Sequence, residues 1–194
     1  LGAMVRAIFT DYEARSPVVA DDPGYGKLRE PLLRLTNVLR TFGAAAATGH
    51  YLGSLQNPEN SLAQAALRAP SVFNFFEPGY VYPGAIAAAG LVAPELQITT
   101  DTTAITVPNF LRQFVFAAAT GANASSAVVL NLTAEQAIAT NTPALLDRLN
   151  LLLCGGSLSA ATRARITTAR AGLNANTTPL ERAQSALLLV ATDR

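Results

Sequence analysis

Tryptophan is missing from the 194 residues, and cysteine, histidine and methionine occur once each. A single cysteine, Cys154, excludes an internal disulfide. With His50 as the single histidine, no tetrahedral zinc site of nitrogen and sulfur ligands can be composed. Charge is scarce as well: Asp, Glu, Lys and Arg make up 14% of the chain, against roughly a quarter in ordinary domains. The 14 basic and 13 acidic side chains nearly cancel and no basic run occurs, which argues against nucleic acid as a partner. Long apolar runs are lacking too. "GAIAAAGLVAP" reaches about half of the roughly 20 residues that a membrane-spanning helix needs, and prolines bracket it, so no transmembrane segment is expected. The start, "LGAMVRAIF", has neither the basic opening nor the small-residue cleavage site of a signal peptide.

What is present is apolar and helical in pattern. Hydrophobic residues reach 50%, so Ala, Thr, Ser, Asn and Gln must cover much of the surface. The length suits one helical domain over residues 1–194 with a continuous core. In "LGAMVRAIFTDYEAR", Leu1, Met4, Val5, Ile8 and Phe9 recur at helical spacing with no capping residue ahead of them. We therefore expect a fragment of a longer precursor. "SPVVADDPGYG" reads as a loop. "KLREPLLRLTNVLRTFG" carries Leu28, Leu32, Leu35, Val38, Leu39 and Phe42 on one stripe, with Pro31 near the start and Gly43 as the stop. "SLAQAALRA" allows a short helix before Pro70.

Farther along, Thr106 can cap a helix bearing Val107, Phe110, Leu111, Phe114 and Val115, with Pro108 in its first turn. "AVVLNL" is the one β-branched run that could form a strand, without an obvious partner. In the last third, "TAEQ" and "TPLE" match the capping box, and "TPALLDRLNLLLCGG" starts on Thr-Pro and stops at Gly155. The spacing predicts Thr133, Thr142 and Thr178 as N-caps, and a further helix from Ser159. The fold class is all-α: an irregular domain of about six to eight helices with a long aromatic, Pro/Gly-rich loop.

Catalysis can be tested by elimination. His50 sits in a Gly-flanked loop with no G-x-S-x-G elbow, so a Ser-His-Asp triad has nothing to build on. Asp21, Asp22, Glu95 and Asp101 could ligate a hard cation, but no spacing resembles a calcium loop. "PGYG" and "CGG" lack the lysine and the strand context of phosphate-binding loops. Neither a metal nor a cofactor is expected, and Cys154 reads as a small apolar side chain at the end of "LLLC".

The stretch "APSVFNFFEPGYVYPGA" concentrates Phe73, Phe75, Phe76, Tyr80 and Tyr82 among three prolines and two glycines. One reading makes the phenylalanines core anchors, because a loop with little regular backbone bonding must be pinned by something. That reading predicts Phe73, and at least one of Phe75 and Phe76, nearly fully buried. The other presents Tyr80 and Tyr82, between Pro78-Gly79 and Pro83-Gly84, as a rigid platform for a sugar ring or a partner loop.

"KLREPLLRLTNVLRTFGA", "APSVFNFFEPGYVYPGAIAAAGLVAPELQI", "LLDRLNLLLCGGSLSAATRARI" and "ERAQSALLLVATDR" together resemble the carboxy-terminal half of the bacterial "domain of unknown function" family 1800. "PSVFNFFEPGY" and the Pro-Glu that follows are the most specific part of the likeness. The resemblance implies an exported protein, periplasmic or extracellular, longer than this chain and often encoded beside a sulfatase-like exported partner. It carries no activity over to any residue.

The expectation is thus a non-catalytic binding or assembly domain. Phe76, Tyr80, Tyr82, His50 and Glu95 are its candidate binding surface, and its partner is the missing half of the precursor or a second copy, with carbohydrate a further candidate ligand. The alternative is a cell-envelope enzyme whose active site is shared with the absent amino-terminal half, with His50, Glu95 or Tyr80 contributing.

Overall fold

The structure, a computed structural model, describes residues 1–22, 24–49, 59–117 and 127–193. Regular structure among them is helical throughout, apart from two isolated β-bridges. In chain order the elements are α1 (Gly2–Thr10), α2 (Tyr12–Arg15), α3 (Pro17–Ala20), α4 (Pro31–Thr41), α5 (Glu59–Leu62), α6 (Ala85–Ala88), a 3-10 turn (Pro94–Ile98), α7 (Asp101–Val115), α8 (Thr133–Ala137), α9 (Thr142–Cys154), α10 (Ala160–Ala171) and α11 (Pro179–Thr192). They fall into two compact units: Leu1–Leu28 with Phe76–Gln97, and Arg29–Phe75 with Ile98–Arg194.

The larger unit holds the core. Its helix α11 packs on α7, α8, α9 and α10, and α4 packs on α9. One apolar cluster gathers Val38 and Phe42 of the α4 segment with Leu145, Leu146, Leu149 and Leu153 of α9 and Leu187 and Val190 of α11. A second gathers Leu35 and Leu62 with Val107, Phe110, Leu111 and Phe114 of α7. The rings of Phe110 and Phe114 meet edge to face, with centroids 5.3 Å apart. Leu39, Ala44 and Leu188 touch both clusters, which makes them one continuous interior.

The stripe expected on α4 is there from Leu32 onward, while Leu28 precedes the helix and belongs to the smaller unit. Pro31 opens α4 at a position whose amide would lack a partner anyway, Leu35, Val38 and Phe42 are buried, and Gly43 leaves it with φ +54°. Helix α9 ends as expected on Gly155, whose φ of +59° is a left-handed conformation that a side chain disfavours. Ser159 caps α10 through Thr162 N–H at 3.0 Å.

Several local expectations fail for identifiable reasons. Thr178 is an N-cap, with its hydroxyl accepting from Glu181 N–H at 3.2 Å and the Glu181 carboxylate accepting from Thr178 N–H at 2.8 Å. Thr133 and Thr142 are instead the first residues of their helices. Asn141 Oδ1 takes over the cap of α9 by accepting from Ala144 N–H at 3.1 Å, since an Asn one position earlier satisfies the same free amide. Asn131 Oδ1 likewise accepts from Thr133 N–H at 3.2 Å.

Helix α7 is capped at Thr100, well over a turn before the expected Thr106. Thr100 and Thr103 form a reciprocal cap, which leaves Pro108 inside the helix and frees the Thr106 hydroxyl to donate to the Ser61 carbonyl at 2.7 Å. "AVVLNL" forms no strand. Val129 makes a single bridge to Ala45, while Val128, Leu130 and Leu132 alternate into the core. The segment read as a wholly irregular loop after Arg15 contains α3, because Ser16 caps it and Pro17 fits its first position.

The anchor reading of the phenylalanines is also overturned. Phe73 is 61% exposed, and Phe75 and Phe76 are only half-buried. Phe73 follows Val72 at the tip of a tight turn closed by the Ser71–Asn74 bridge, and Asn74 takes φ +70° there. Such a turn directs its central side chains away from the chain that closes it.

Candidate functional site

The smaller unit is built from two distant segments with very little interior of its own. None of the residues of α1, α2, α3 or α6 is buried. Its segments are held by backbone bonding and a few close approaches. Ala93 N–H donates to the Tyr80 carbonyl at 2.9 Å, which draws the end of the aromatic loop against the stretch that precedes the 3-10 turn. Glu77 N–H donates to Gln97 Oε1 at 2.7 Å and fixes the two ends of that segment together. On the other segment, Asp22 Oδ1 accepts from Gly24 N–H at 2.7 Å. A Cβ on Gly24 would stand 3.3 Å from Asp22 Oδ1, so the glycine suits this tight turn, and Leu91 of the other segment lies within van der Waals contact of the same position.

Between these segments lies a cleft of about 600 Å³, lined by Glu13, Gly24 to Leu28, Pro78 and Leu91 to Glu95. Leu28, Pro78, Leu91, Val92 and Pro94 give it apolar walls, and Glu13, Tyr25, Lys27 and Glu95 bring the polar side chains. Glu95 is 6% exposed. Its carboxylate has neither a hydrogen bond nor an ion pair with any described residue, although Lys27 borders the same cleft. A second hollow of about 470 Å³, lined by Ala7, Ile8, Asp11, Glu13, Ala14 and Tyr25, shares Glu13 and Tyr25 with the first. Asp11 already has work there, since its Oδ1 accepts from Glu13 N–H at 2.9 Å and caps α2.

Of the residues singled out in the sequence, only Glu95 lines the cleft. Tyr80 is half-buried and contributes its carbonyl, Tyr82 is exposed, and Phe76 is half-buried in the same unit. His50 lies outside the described residues. Glu13, Tyr25 and Lys27 are not singled out in the sequence. "PGYG" reads as a loop without the features of a phosphate-binding one, whereas its contribution is Tyr25, with Lys27 following Gly26. Asp101 opens α7 in the other unit, and no group of three or more His, Cys, Asp or Glu side chains suited to a metal ion occurs among the described residues.

The sequence profile of the family described as "protein of unknown function (DUF1800)" matches residues 1–193. The chain belongs to that family. No curated protein matches the chain, and no solved structure does.

In this DUF1800 chain the other polar concentrations are structural. Arg29 Nη1 donates to the Leu153 carbonyl at 2.6 Å and Arg34 Nη1 to the Thr192 carbonyl at 3.4 Å, so the two arginines satisfy the free carbonyl ends of α9 and α11. Burial, with Arg29 nearby, brings Arg34 down to about 10, while Asp193 acts the opposite way. Glu135, almost fully buried, pairs with Arg148 at 2.5 Å and ties α8 to α9. Among the described residues of this DUF1800 protein no helix is long and apolar enough to cross a membrane.

Proposed function

We propose that the chain is a non-catalytic binding domain of an exported protein, and that a small polar ligand occupies the cleft bordered by Glu13, Tyr25, Lys27 and Glu95. The observation that carries this reading is Glu95 itself. The Glu95 side chain is nine-tenths buried yet bonds to no described residue, and its oxygens are not shut off from the cleft, so a donor on a ligand would meet an acceptor that the chain itself leaves unused. A cleft of about 600 Å³ falls inside the range of roughly 300–1,000 Å³ typical of small-molecule sites, and it combines apolar walls with a few convergent polar groups. The aromatic loop supports it: Pro78 forms part of the wall, and the Tyr80 carbonyl accepts from the N–H of the wall residue Ala93.

Saturation-transfer NMR with a library of polar metabolites and oligosaccharides tests the reading. Binders of the native chain should lose their signal in Ala93→Trp, which fills the cleft with a ring. Binders that ignore that substitution would place the ligand elsewhere.

A second reading, assembly, is favoured by α1. Leu1, Met4, Ile8 and Phe9 are each more than half exposed along one short helix that buries nothing, and contiguous apolar surface of this kind marks contact sites. The partner proposed is a second copy of the chain. Association by apolar burial should survive high salt, which screens charge pairs, and it should weaken in Ile8→Glu. Sedimentation velocity across a salt series measures both, and a monomer at tens of micromolar under all conditions would remove this reading.

A further inference from the structure

We infer that the ligand of this cleft carries a protonated amine and that Glu95 is the residue that anchors it; the inference rests on the binding reading above. The charged side chains bordering the cleft and the adjoining hollow are Asp11, Glu13, Glu95 and Lys27, so carboxylates outnumber the single ammonium. Asp11 is committed to capping α2, but Glu13 and Glu95 have no side-chain partner among the described residues. An anionic ligand, phosphate or carboxylate alone, would bring like charge against both. A neutral polyol could donate hydrogen bonds to Glu95, yet it would bring no counter-charge to the two unpaired carboxylates. An ammonium supplies both the charge and the directional N–H donors, and charge-assisted bonds of this kind are the strong ones.

Two further features fit the same occupant. Tyr25 borders both hollows and is about half exposed, so its ring is available to a cation crossing from one hollow to the other. Lys27 lines the cleft without pairing to either glutamate and remains free to meet a hydroxyl or carbonyl elsewhere on the ligand. The amine has two natural sources, an amino sugar or an aliphatic polyamine, and the chemistry at Glu95 is common to them.

Isothermal titration of the full chain at low ionic strength distinguishes these cases, using a glucosamine trisaccharide, its fully N-acetylated counterpart and spermidine as probes. The expected result is binding of at least one amine-bearing probe, with at least a tenfold loss in Glu95→Gln, which keeps the side-chain shape and removes the charge. Glu13→Gln should lose affinity less steeply than Glu95→Gln. Tighter binding of the trisaccharide assigns the source as an amino sugar; tighter binding of spermidine assigns it as an aliphatic amine. If the N-acetylated sugar binds as well as the free amine and Glu95→Gln changes nothing, the inference is overturned while the cleft remains a binding site. If neither amine binds at millimolar concentration the inference also fails. The neutral probe and the Ala93→Trp comparison then decide separately whether the cleft binds anything. Circular dichroism of each variant confirms that a loss reflects the site rather than the fold.

Discussion

The Arg170 guanidinium donates from Nη2 to the Ala139 carbonyl at 2.7 Å, from a residue that is 4% exposed. Its Nη1 donates to the Arg182 carbonyl and its Nε to the Thr142 hydroxyl at 3.3 Å. One buried cation therefore joins the end of α10 to α9, to α11 and to the chain after α8 through neutral acceptors. Burial, and then Arg182, lower its pKa from the ordinary arginine value. Arg170→Ala would leave the buried Ala139 carbonyl without this donor and remove the contacts to the half-buried Arg182 and Thr142, and should destabilise the chain by about 1 to 3 kcal/mol. Arg170→Lys should recover only part of that loss, because an ammonium cannot reproduce the planar fork. Urea denaturation followed by circular dichroism measures both; a loss below about 1 kcal/mol in Arg170→Ala would mean the network contributes little.

Glu181 is held below the usual carboxylate value by hydrogen bonding from Thr178, first from its backbone N–H and then from its hydroxyl. A carboxylate with a depressed folded-state pKa contributes stability that is present above its unfolded pKa and lost as pH falls through the folded one. Acidification below pH ~4.5 should therefore loosen the start of α11. Thr178→Ala removes the hydroxyl and keeps the backbone N–H, so it should move the Glu181 titration, read from its carboxyl carbon by NMR, only part of the way up toward the ordinary value. An unchanged titration in that variant would show that the Thr178 hydroxyl contributes nothing to holding Glu181 down.

Phe73→Ala should change stability by less than about 1 kcal/mol, because the ring is mostly in solvent, whereas Phe110→Ala should cost about 3 to 5 kcal/mol. Thermal unfolding of the two variants side by side is sufficient. Equal losses would put Phe73 back in a core.

Much of the larger unit can be read from sequence because its signals are local. The stripe on α4, the Thr-Pro start of "TPLE", the double glycine after Cys154 and the apolar spacing of α7 each lie within a turn or two of what they specify. Cap positions were harder. In "TDTTAITVP" and "ATNTP" several hydroxyl and amide side chains can serve the same free amides, and only the tertiary setting chooses Thr100 and Asn141 over Thr106 and Thr142. The aromatic loop misled for a physical reason: a tight turn points its central residues outward whatever their hydrophobicity, so richness in phenylalanine did not mean anchoring. The cleft was almost invisible. Glu13, Tyr25 and Lys27 lie some 70 to 80 residues from Glu95, and the approach of their segment to its own, Gly24 beside Leu91, follows no local side-chain pattern.

Amide chemical-shift mapping of the isotopically labelled chain, titrated with the tightest probe from the binding experiments, tests the central claim most directly. The account predicts that the shifts concentrate on Glu13, Tyr25, Lys27, Leu91, Ala93 and Glu95 and largely vanish in Glu95→Gln. Shifts confined to the exposed turn at Val72 and Phe73 or to α1, with Glu95 and its neighbours unmoved, would contradict it.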